Sequence, residues 1–320
     1  LQAACTNDRK CFQIFQKPIN VILFHKTKPV VLTAGVSGKV QLFKVDDILD
    51  GGNFLQNVQF SNYPITSMSF LQGGNSVVCG SSRQNYFMKY DLNKGAVSQL
   101  NLPTNVPNQN TGHFIVSYDG SLLAMVGHSS QVYVLSTLSM ELVKTFSAPN
   151  NVTSLQFLPA SNQELWAMTE CGEVIIWDLK NSSQHMFRDE GAVSGTVVRL
   201  SSDGSKVASR PLALQMYSIA NVRRSADPKP LLTASNLVTS CDSVAFSHDS
   251  QIMAFSSNVK KNQVRLLHIP SRTVFKNFPR KDGKMTNIKC MEFSPRSAYL
   301  AFGCSNGQLI LDRINYYEYY

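Results

Sequence analysis

The chain lacks three features that would place it among membrane or helical proteins. No apolar run reaches the roughly 20 residues that a bilayer-spanning helix needs, and no secretory signal pattern opens the chain. The apolar spacing of three and four residues that marks amphipathic helices is absent throughout. Charged residues make up only 16% of the 320 positions, well below the usual quarter. We therefore expect a protein without membrane contact, built from short strands joined by polar turns.

The sequence also lacks the motifs of common enzyme and metal sites. It contains no Walker-type glycine loop, no HExxH, no GxSxG and no GxGxxG pattern. None of its seven cysteines forms a CxxC pair, and this scattered, odd count predicts reduced thiols in a cytosolic or nuclear compartment. No metal-ligand spacing connects the six histidines, which are His25, His113, His128, His185, His248 and His268. We predict no catalysis, no metal, no cofactor and no small-molecule substrate.

What is present is a repeat. Each copy has a short apolar strand, a polar turn with Ser, Asp or Pro, and a second apolar strand rich in Ala, Val and Gly. The large apolar residue that ends the first strand stands at positions 24, 70, 116, 157, 200, 246 and 293, with spacings of 46, 46, 41, 43, 46 and 47. Repeats of about 40–45 residues with four strands each are typical of WD-repeat propeller blades.

Third and fourth strands follow these pairs. Examples of the third are residues 40–43, 132–135, 174–178 and 264–267, and examples of the fourth are 141–146 and 273–278. Only Trp177-Asp178 spells the WD dipeptide, so the other copies are degenerate. Because blades are covered on both faces, their strands are expected to be almost continuously apolar, as these are.

The strand count predicts how the repeats close. Six full units provide 24 strands, the last unit adds three, and residues 11–15 can supply the missing outer strand. We therefore predict an all-β, seven-bladed WD40-type β-propeller, closed by the N-terminal strand pairing into the last blade. Residues 10–316 would form this single domain, with 1–9 as an N-terminal segment and 317–320 as a C-terminal tail. Leu1 in place of Met predicts a piece of a longer protein.

Some parts of the repeat are irregular. The connections 101–111, 218–230 and 279–287 are longer than ordinary hairpin loops. The fifth unit is the weakest, because Ser209-Arg210-Pro211 stands where other units have a glycine-containing turn. We expect irregular strand pairing there.

The polar residues of the turns recur at equivalent positions, which marks them as architectural. Asp119, Asp203 and Asp249 occupy the same turn position in three units, where an aspartate caps its own backbone. His25 and His248 follow the aromatic residue that ends the first strand, and we interpret them as turn residues. An active site would be built once, not in several repeats.

The net charge of +9 is concentrated in one part of the chain. Residues 1–194 carry 13 Lys/Arg and 13 Asp/Glu, whereas residues 195–320 carry 17 and 8. Such an excess favours a polyanionic neighbour on one side of the molecule. Ordinary solubility charge remains the alternative.

Placed on the repeat, the basic residues form two groups. In a propeller, the loops between second and third strands share a face with the connections between blades. Lys260 and Lys261 lie in the first kind of loop, and Arg280, Lys281 and Lys284 lie in the connection to the last blade, so these five should cluster. Arg223 and Arg224 lie in a loop between third and fourth strands and should face the other way. The five cations could meet RNA phosphates, an acidic protein partner or solvent alone, and no interleaved aromatics suggest base readout.

The C-terminal half contains sequence segments that are more specific than the general repeat. Trp177-Asp178 is followed by the segments 186–191, 236–239, 264–271, 274–279 and 291–297, which read MFRDEG, NLVT, VRLLHIPS, VFKNFP and MEFSPRS. Together they resemble the U3 small nucleolar RNA-associated protein 18 family, the WD-repeat subunits of the UTP-B module of the small-subunit processome. The match is in register over roughly 165–316 and is weaker, though collinear, over 19–164. Residues 209–214 depart from the family pattern.

This resemblance implies a nuclear, nucleolar scaffold that acts in pre-ribosomal RNA processing and U3 ribonucleoprotein assembly. Its implied partners are the other subunits of the UTP-B module and of the processome, with phosphates of U3 or pre-ribosomal RNA nearby. The alternative function is a peptide-binding WD-repeat adaptor without RNA contact, such as a ubiquitin-ligase substrate receptor. Those receptors usually have Arg two residues after the Trp-Asp pair, where this chain has Leu179-Lys180.

Overall fold

The computed structural model describes residues 5–45, 53–107, 109–159, 161–188, 195–210, 214–234, 242–279, 285–317 and 320. Within these residues, 28 strands form seven four-stranded antiparallel sheets. The predicted fold class, a seven-bladed WD-type β-propeller, is confirmed. The chain divides into two compact units, residues 1–66 with 236–320 and residues 67–235.

The strands follow one another in chain order. The first five are β1 (Cys5–Gln13), β2 (Ile19–Phe24), β3 (Val30–Gly35), β4 (Lys39–Lys44) and β5 (Phe54–Gln59). The next sixteen are β6 (Ile65–Phe70), β7 (Ser76–Ser81), β8 (Tyr86–Asp91), β9 (Val97–Asn101), β10 (Phe114–Val116), β11 (Leu122–Val126), β12 (Gln131–Ser136), β13 (Leu142–Ser147), β14 (Val152–Phe157), β15 (Glu164–Thr169), β16 (Glu173–Asp178), β17 (Gln184–Arg188), β18 (Val197–Leu200), β19 (Lys206–Arg210), β20 (Leu214–Ser218) and β21 (Leu232–Ala234). The last seven are β22 (Ser243–Phe246), β23 (Ile252–Ser256), β24 (Val264–His268), β25 (Thr273–Val274), β26 (Ile288–Phe293), β27 (Tyr299–Cys304) and β28 (Gln308–Ile314).

Each sheet uses consecutive strands, with one exception. Blade 1 contains β2–β5, blade 2 β6–β9, blade 3 β10–β13, blade 4 β14–β17, blade 5 β18–β21 and blade 6 β22–β25. Blade 7 contains β26–β28 and takes β1 as its outer strand, antiparallel to β28, with Cys11 opposite Ile310 and Phe12 opposite Leu309. The observed strand spans Cys5–Gln13 where we predicted 11–15, and the backbone N–H groups of Ile14 and Phe15 continue the contact to the Gly307 carbonyl, each at 3.1 Å.

The expectation that no helix occurs was wrong in one place. A one-turn helix, α1 (Ile219–Val222), lies in the long connection between β20 and β21. Ile219 and Val222, at its two ends, are buried. A helical period needs a window of about 11–18 residues to be recognised, so four residues leave no such signal. In the described part of the chain, no helix is long and apolar enough to cross a membrane.

Two local expectations about strand pairing also need correction. In blade 5, β18, β19 and β20 pair without any register shift in the described residues, so the predicted irregularity is not observed there. Residues 211–213, the connection itself, lie outside the described residues. In blade 6 the fourth strand was predicted over 273–278, but β25 ends at Val274. The Phe275 N–H still donates to the Leu266 carbonyl at 2.9 Å, and beyond it Phe278 is buried and stacks on Phe302 of blade 7, with centroids 6.2 Å apart.

The core lies between neighbouring blades. All five residues of β23 are buried, and apolar side chains of blades 6 and 7 form one cluster that includes Val264, Leu300 and Phe302. In the second unit, Phe146 of blade 3 stacks on Trp177 of blade 4 with 5.1 Å between ring centroids. Burying each such side chain stabilises the fold by about 1.5–3 kcal/mol. This two-sided burial explains the nearly continuous apolar strands.

A serine and an aspartate close the turn between the first two strands of several blades. In blade 3, the Ser117 hydroxyl donates to Asp119 Oδ1 at 2.5 Å, and that carboxylate accepts the Ser121 N–H at 3.0 Å. Ser117 Oγ also accepts the Leu122 N–H at 2.9 Å. The same bonds recur in blade 5 around Asp203 and in blade 6 around Asp249. The architectural interpretation of these aspartates is confirmed.

The aspartate of the Trp-Asp dipeptide also closes a turn. Asp178 Oδ1 accepts the N–H groups of Lys180 and Asn181 at 2.7 and 3.0 Å and so caps the β16–β17 turn. Asp91 does the same in the β8–β9 turn, where Tyr90 replaces the tryptophan. A degenerate dipeptide therefore keeps its structural role as long as the carboxylate remains.

We expect Asp203→Asn to lower stability through this turn. Burial opposes ionisation of Asp203, but hydrogen bonds from Ser201 and Ser205 outweigh that effect and hold the pKa of its carboxyl group well below the usual range. Replacing a charged acceptor by a neutral one should cost about 1 kcal/mol, a value reduced because the group is partly exposed. The measurement is the urea midpoint of both proteins, with Asp227→Asn in the exposed loop after α1 as the control.

The pH dependence of the difference in urea midpoint between Asp203→Asn and the unmodified protein gives a second measurement. The pKa of Asp203 in the folded protein lies below the value of ~3.9 in the unfolded chain. The contribution of its carboxylate to stability is therefore complete above that value and is lost as the pH falls toward the folded pKa. The difference in midpoint between the two proteins should be constant above about pH 5 and should shrink below about pH 4. A difference that stays constant across the acidic range would rule out this role for the carboxylate.

Gly307 joins blade 7 to the segment after β1, and Gly307→Ala should test that contact. Its φ is +82°, and a Cβ there would lie 2.0 Å from the Phe15 carbonyl oxygen. Gly95→Ala is the matched control, because its φ is +66° and nothing lies within 4 Å of the added atom. The control should cost about 1–2 kcal/mol for backbone strain alone, and Gly307→Ala should cost about 1–3 kcal/mol more. Equal losses in urea unfolding would mean that the segment after β1 does not pack as described.

Candidate nucleic-acid interface

The first predicted basic pair stands on a short, exposed loop. Lys260 and Lys261 lie between β23 and β24 and are both exposed. The loop is closed at its base by a hydrogen bond from the Ser257 N–H to the Gln263 carbonyl at 2.9 Å. Asn262 adopts the left-handed conformation with φ of +58°, which turns the chain back into β24. Both lysines are therefore presented to solvent by a hydrogen-bonded loop.

Asn262 connects this loop to the long segment that precedes blade 7. Its Oδ1 accepts the Met285 N–H at 2.7 Å, and Met285 is buried in the core of blades 6 and 7, with 1% of its surface exposed. Arg280, Lys281 and Lys284 lie outside the described residues, so the clustering of all five cations stays a prediction. The contact at Met285 nevertheless anchors the end of their connection beside the loop of Lys260 and Lys261.

The same side of the unit continues across blade 7 to blade 1. The Thr286 hydroxyl donates to Asn306 Oδ1 at 3.0 Å, and the Ser305 N–H donates to the Asn287 carbonyl at 2.8 Å. The same β27–β28 loop contacts the segment after β1 through Gly307, and the end of β3 packs closely on Pro18 at Gly35. We call this surface the basic face; its described residues are 13–18, 35–39, 257–263, 277–279, 285–289 and 304–308.

Three exposed lysines of the basic face were missed by the sequence analysis. Lys17 lies in the segment after β1, Lys39 begins β4, and Lys289 is the second residue of β26. They are single charges in different repeats, so no local run of basic residues signals them. Alignment of the repeats could have identified them, because they lie in or beside loops and connections on the same face as the loop of Lys260.

Among the described residues of these connections, the neighbouring carboxylate is that of Asp242. Its Oδ2 accepts the Asn258 N–H at 2.9 Å, which ties it to the backbone of the lysine loop. The remaining polar groups are amides and hydroxyls, such as Asn287, Ser305 and Asn306. The face therefore combines positive charge with neutral hydrogen-bonding groups, as phosphate-contacting surfaces do.

The second basic pair is placed differently. Arg223 and Arg224 follow α1 in the β20–β21 connection, at the end of blade 5 opposite its β19–β20 connection, and both are exposed. Arg223 forms an ion pair of 2.7 Å with Glu164 of blade 4, whose other oxygen accepts the Trp166 indole N–H at 3.1 Å. Such an exposed pair contributes at most about 1 kcal/mol, but it directs the guanidinium toward blade 4. Whether Arg223 and Arg224 bind a partner stays a prediction.

Comparison with known proteins decides the family. No protein-family model matches the chain. The "U3 small nucleolar RNA-associated protein 18 homolog" of Caenorhabditis elegans is 42% identical over 96% of this chain and 73% of its own length. The chain belongs to the U3 small nucleolar RNA-associated protein 18 family. Homologs of the same name in Arabidopsis thaliana and Homo sapiens are 30% and 29% identical, each over 94% of this chain.

Membership of the U3 small nucleolar RNA-associated protein 18 family confirms the resemblance and extends it over nearly the whole chain. The resemblance recognised from the sequence was in register only over roughly 165–316, whereas the match to the nematode protein covers 312 residues. The chain spans 55% of the plant protein and 54% of the human protein, about half the length of each.

Two histidines and two cysteines of this family member have a clear structural place. His25 Nδ1 accepts the N–H groups of Thr27 and Lys28 at 3.2 and 3.1 Å, and the His248 N–H donates to Ser297 Oγ at 2.8 Å, so both are turn residues as predicted. Within the described residues, no group of three potential ligands could hold a metal ion. Burial raises the pKa of the Cys79 and Cys290 thiols, which disfavours the reactive thiolate.

We expect Asn262→Gly to release the end of the connection before blade 7. Glycine keeps the left-handed backbone but removes the acceptor of the Met285 N–H, which costs about 1 kcal/mol. Amide hydrogen exchange at Met285 should become at least severalfold faster, while exchange in β24 should change little. Unchanged protection at Met285 would show that this bond does not hold the connection.

Proposed function

We propose that this chain is a non-catalytic scaffold of the small-subunit processome. It acts in pre-ribosomal RNA processing and U3 ribonucleoprotein assembly, in the nucleolus. It docks other subunits of the UTP-B module and contacts phosphates of U3 or pre-ribosomal RNA through the basic face. Residues 10–316 act as one propeller domain in this role.

The observation that carries the proposal is the basic face on a member of this family. The names of the relatives state an association with U3 small nucleolar RNA. The described exposed lysines Lys260 and Lys261 belong to residues 195–320, the part of the chain that holds the entire net charge of +9. Lysines on such a surface bind phosphate mainly by releasing condensed counterions.

The turns support a structural rather than a catalytic use of the titratable groups. Asp119, Asp203 and Asp249 accept hydrogen bonds from their own turns, and Asp91 and Asp178 cap hairpins. A general acid or base needs a group that is available to a substrate. These carboxylates already bind the backbone, and the same arrangement recurs in several blades.

Charge reversal at Lys260 and Lys261 should weaken RNA binding. For Lys260→Glu/Lys261→Glu we expect severalfold less crosslinking to U3 or pre-ribosomal RNA in cells. Binding of the purified chain to RNA should become less salt-dependent, with a slope smaller by about 0.7–0.9 for each phosphate that is no longer neutralised. Adding Arg280→Glu, Lys281→Glu and Lys284→Glu should deepen both effects if the five cations cluster.

The control is Lys28→Glu/Lys94→Glu, which makes the same charge change at exposed residues of the β2–β3 and β8–β9 turns, which are not part of the basic face. It should leave crosslinking and salt dependence unchanged. If the five-residue variant crosslinks normally and sediments with large pre-ribosomal particles, the RNA contact is wrong and only protein docking remains. If the unmodified chain does not sediment with such particles, a peptide-binding adaptor becomes the better explanation.

A further inference from the structure

We infer that the basic face continues over blades 6, 7 and 1 and binds the backbone of double-helical RNA. This inference rests on the proposed function and names the class of RNA and the additional residues that meet it. Lys17, Lys39 and Lys289 extend the surface that begins at Lys260 and Lys261.

The basic face is continuous from blade 6 to blade 1. Direct interactions join the connections of the three blades: Asn262 to Met285, Thr286 to Asn306, Gly307 to Ile14 and Phe15, and Gly35 against Pro18. All of them lie within one compact unit. The surface that carries the lysines is therefore assembled by hydrogen bonds and close packing from one blade to the next.

The basic face is positively charged along its length. Five exposed lysines occupy the described part of this surface, at positions 17, 39, 260, 261 and 289. The carboxylate of Asp242, the acidic group described in these connections, is engaged by the Asn258 N–H. Positive charges distributed over three adjacent blades suit an extended polyanion better than a single compact phosphate group.

The basic face offers no exposed phenylalanine ring to bases in its described residues. Its two phenylalanines, Phe15 and Phe278, are 5% and 3% exposed and belong to the core. Their rings are therefore not available as stacking platforms, which proteins that bind unpaired strands commonly use. Amides and hydroxyls such as Asn287, Ser305 and Asn306 lie between the lysines instead. A-form RNA presents phosphates and 2′-hydroxyl groups along its shallow minor groove, and these are the groups that lysine, amide and hydroxyl side chains can contact.

The test compares three nucleic acids with the purified full chain. They are an RNA duplex of about 20 base pairs, long enough to expose successive minor grooves, one of its strands alone, and the DNA duplex of the same sequence. Fluorescence anisotropy is measured between about 50 and 200 mM salt. We expect the RNA duplex to bind at least about threefold more tightly than the single strand or the DNA duplex, since only A-form RNA presents both groups. Equal or tighter binding of the single strand would overturn the assignment of duplex RNA.

Variants test the extension of the face. Lys17→Glu/Lys39→Glu should weaken duplex binding about tenfold and reduce the salt slope by about 0.7–0.9 for each phosphate that these lysines neutralise. Lys17→Gln/Lys39→Gln should lie between this variant and the unmodified chain. Lys28→Glu/Lys94→Glu should bind as the unmodified chain does, and unchanged thermal midpoints show that all variants are folded.

The outcomes separate this inference from the proposed function. If Lys260→Glu/Lys261→Glu weakens binding but Lys17→Glu/Lys39→Glu does not, the extension is wrong while the RNA contact of the proposed function stands. If no RNA binds and crosslinking in cells is also unaffected by Lys260→Glu/Lys261→Glu, both are wrong. If all lysine variants, including the control, weaken binding equally, the attraction is general charge and the basic face has no special role.

Discussion

The structure depends on one constraint: a four-stranded sheet that is apolar on both faces is stable only when neighbouring sheets cover it. The middle strands of the blades show this directly, since every residue of β23 is buried. Because each blade needs its neighbours, the same unit must recur at a nearly constant spacing. The constraint also explains why β28 pairs with β1 from the start of the chain, since an uncovered edge would leave its backbone groups unpaired.

The same constraint determines where polar chemistry can appear. The buried strand residues are committed to packing, so the exposed charged groups of the basic face stand in turns, in connections or near strand ends. At one end of the blades, serine–aspartate turns such as Ser117 with Asp119 use these groups to hold the backbone. In and beside the connections of blades 6, 7 and 1, lysines are exposed to solvent. We therefore expect function in this fold to arise from residues of loops and strand ends, on a scaffold whose buried strand residues contribute stability.

How much of the basic face could be foreseen depended on how its residues are distributed. Lys260 and Lys261 are adjacent in sequence, so the pattern was visible and their exposure in a β23–β24 loop matches the expectation. Lys17 and Lys289 are far apart in the chain and become neighbours of the same surface only through the interactions at Gly307 and Asn306. The ion pair of Arg223 with Glu164 could not be foreseen, because it joins two blades and leaves no signal in the local sequence.

The amino-acid pattern alone was enough to establish the fold class, the number of blades, the role of the turn aspartates and the family. These properties follow from periodic apolar strands and recurrent local turns, which depend on residues close together in the chain. Packing in three dimensions was needed to establish the short helix α1, the early end of β25, the partner of Arg223 and the continuity of the basic face. Each of these depends on interactions between residues that are distant in sequence, and packing between blades, which no local pattern encodes, selects among the conformations that the sequence permits.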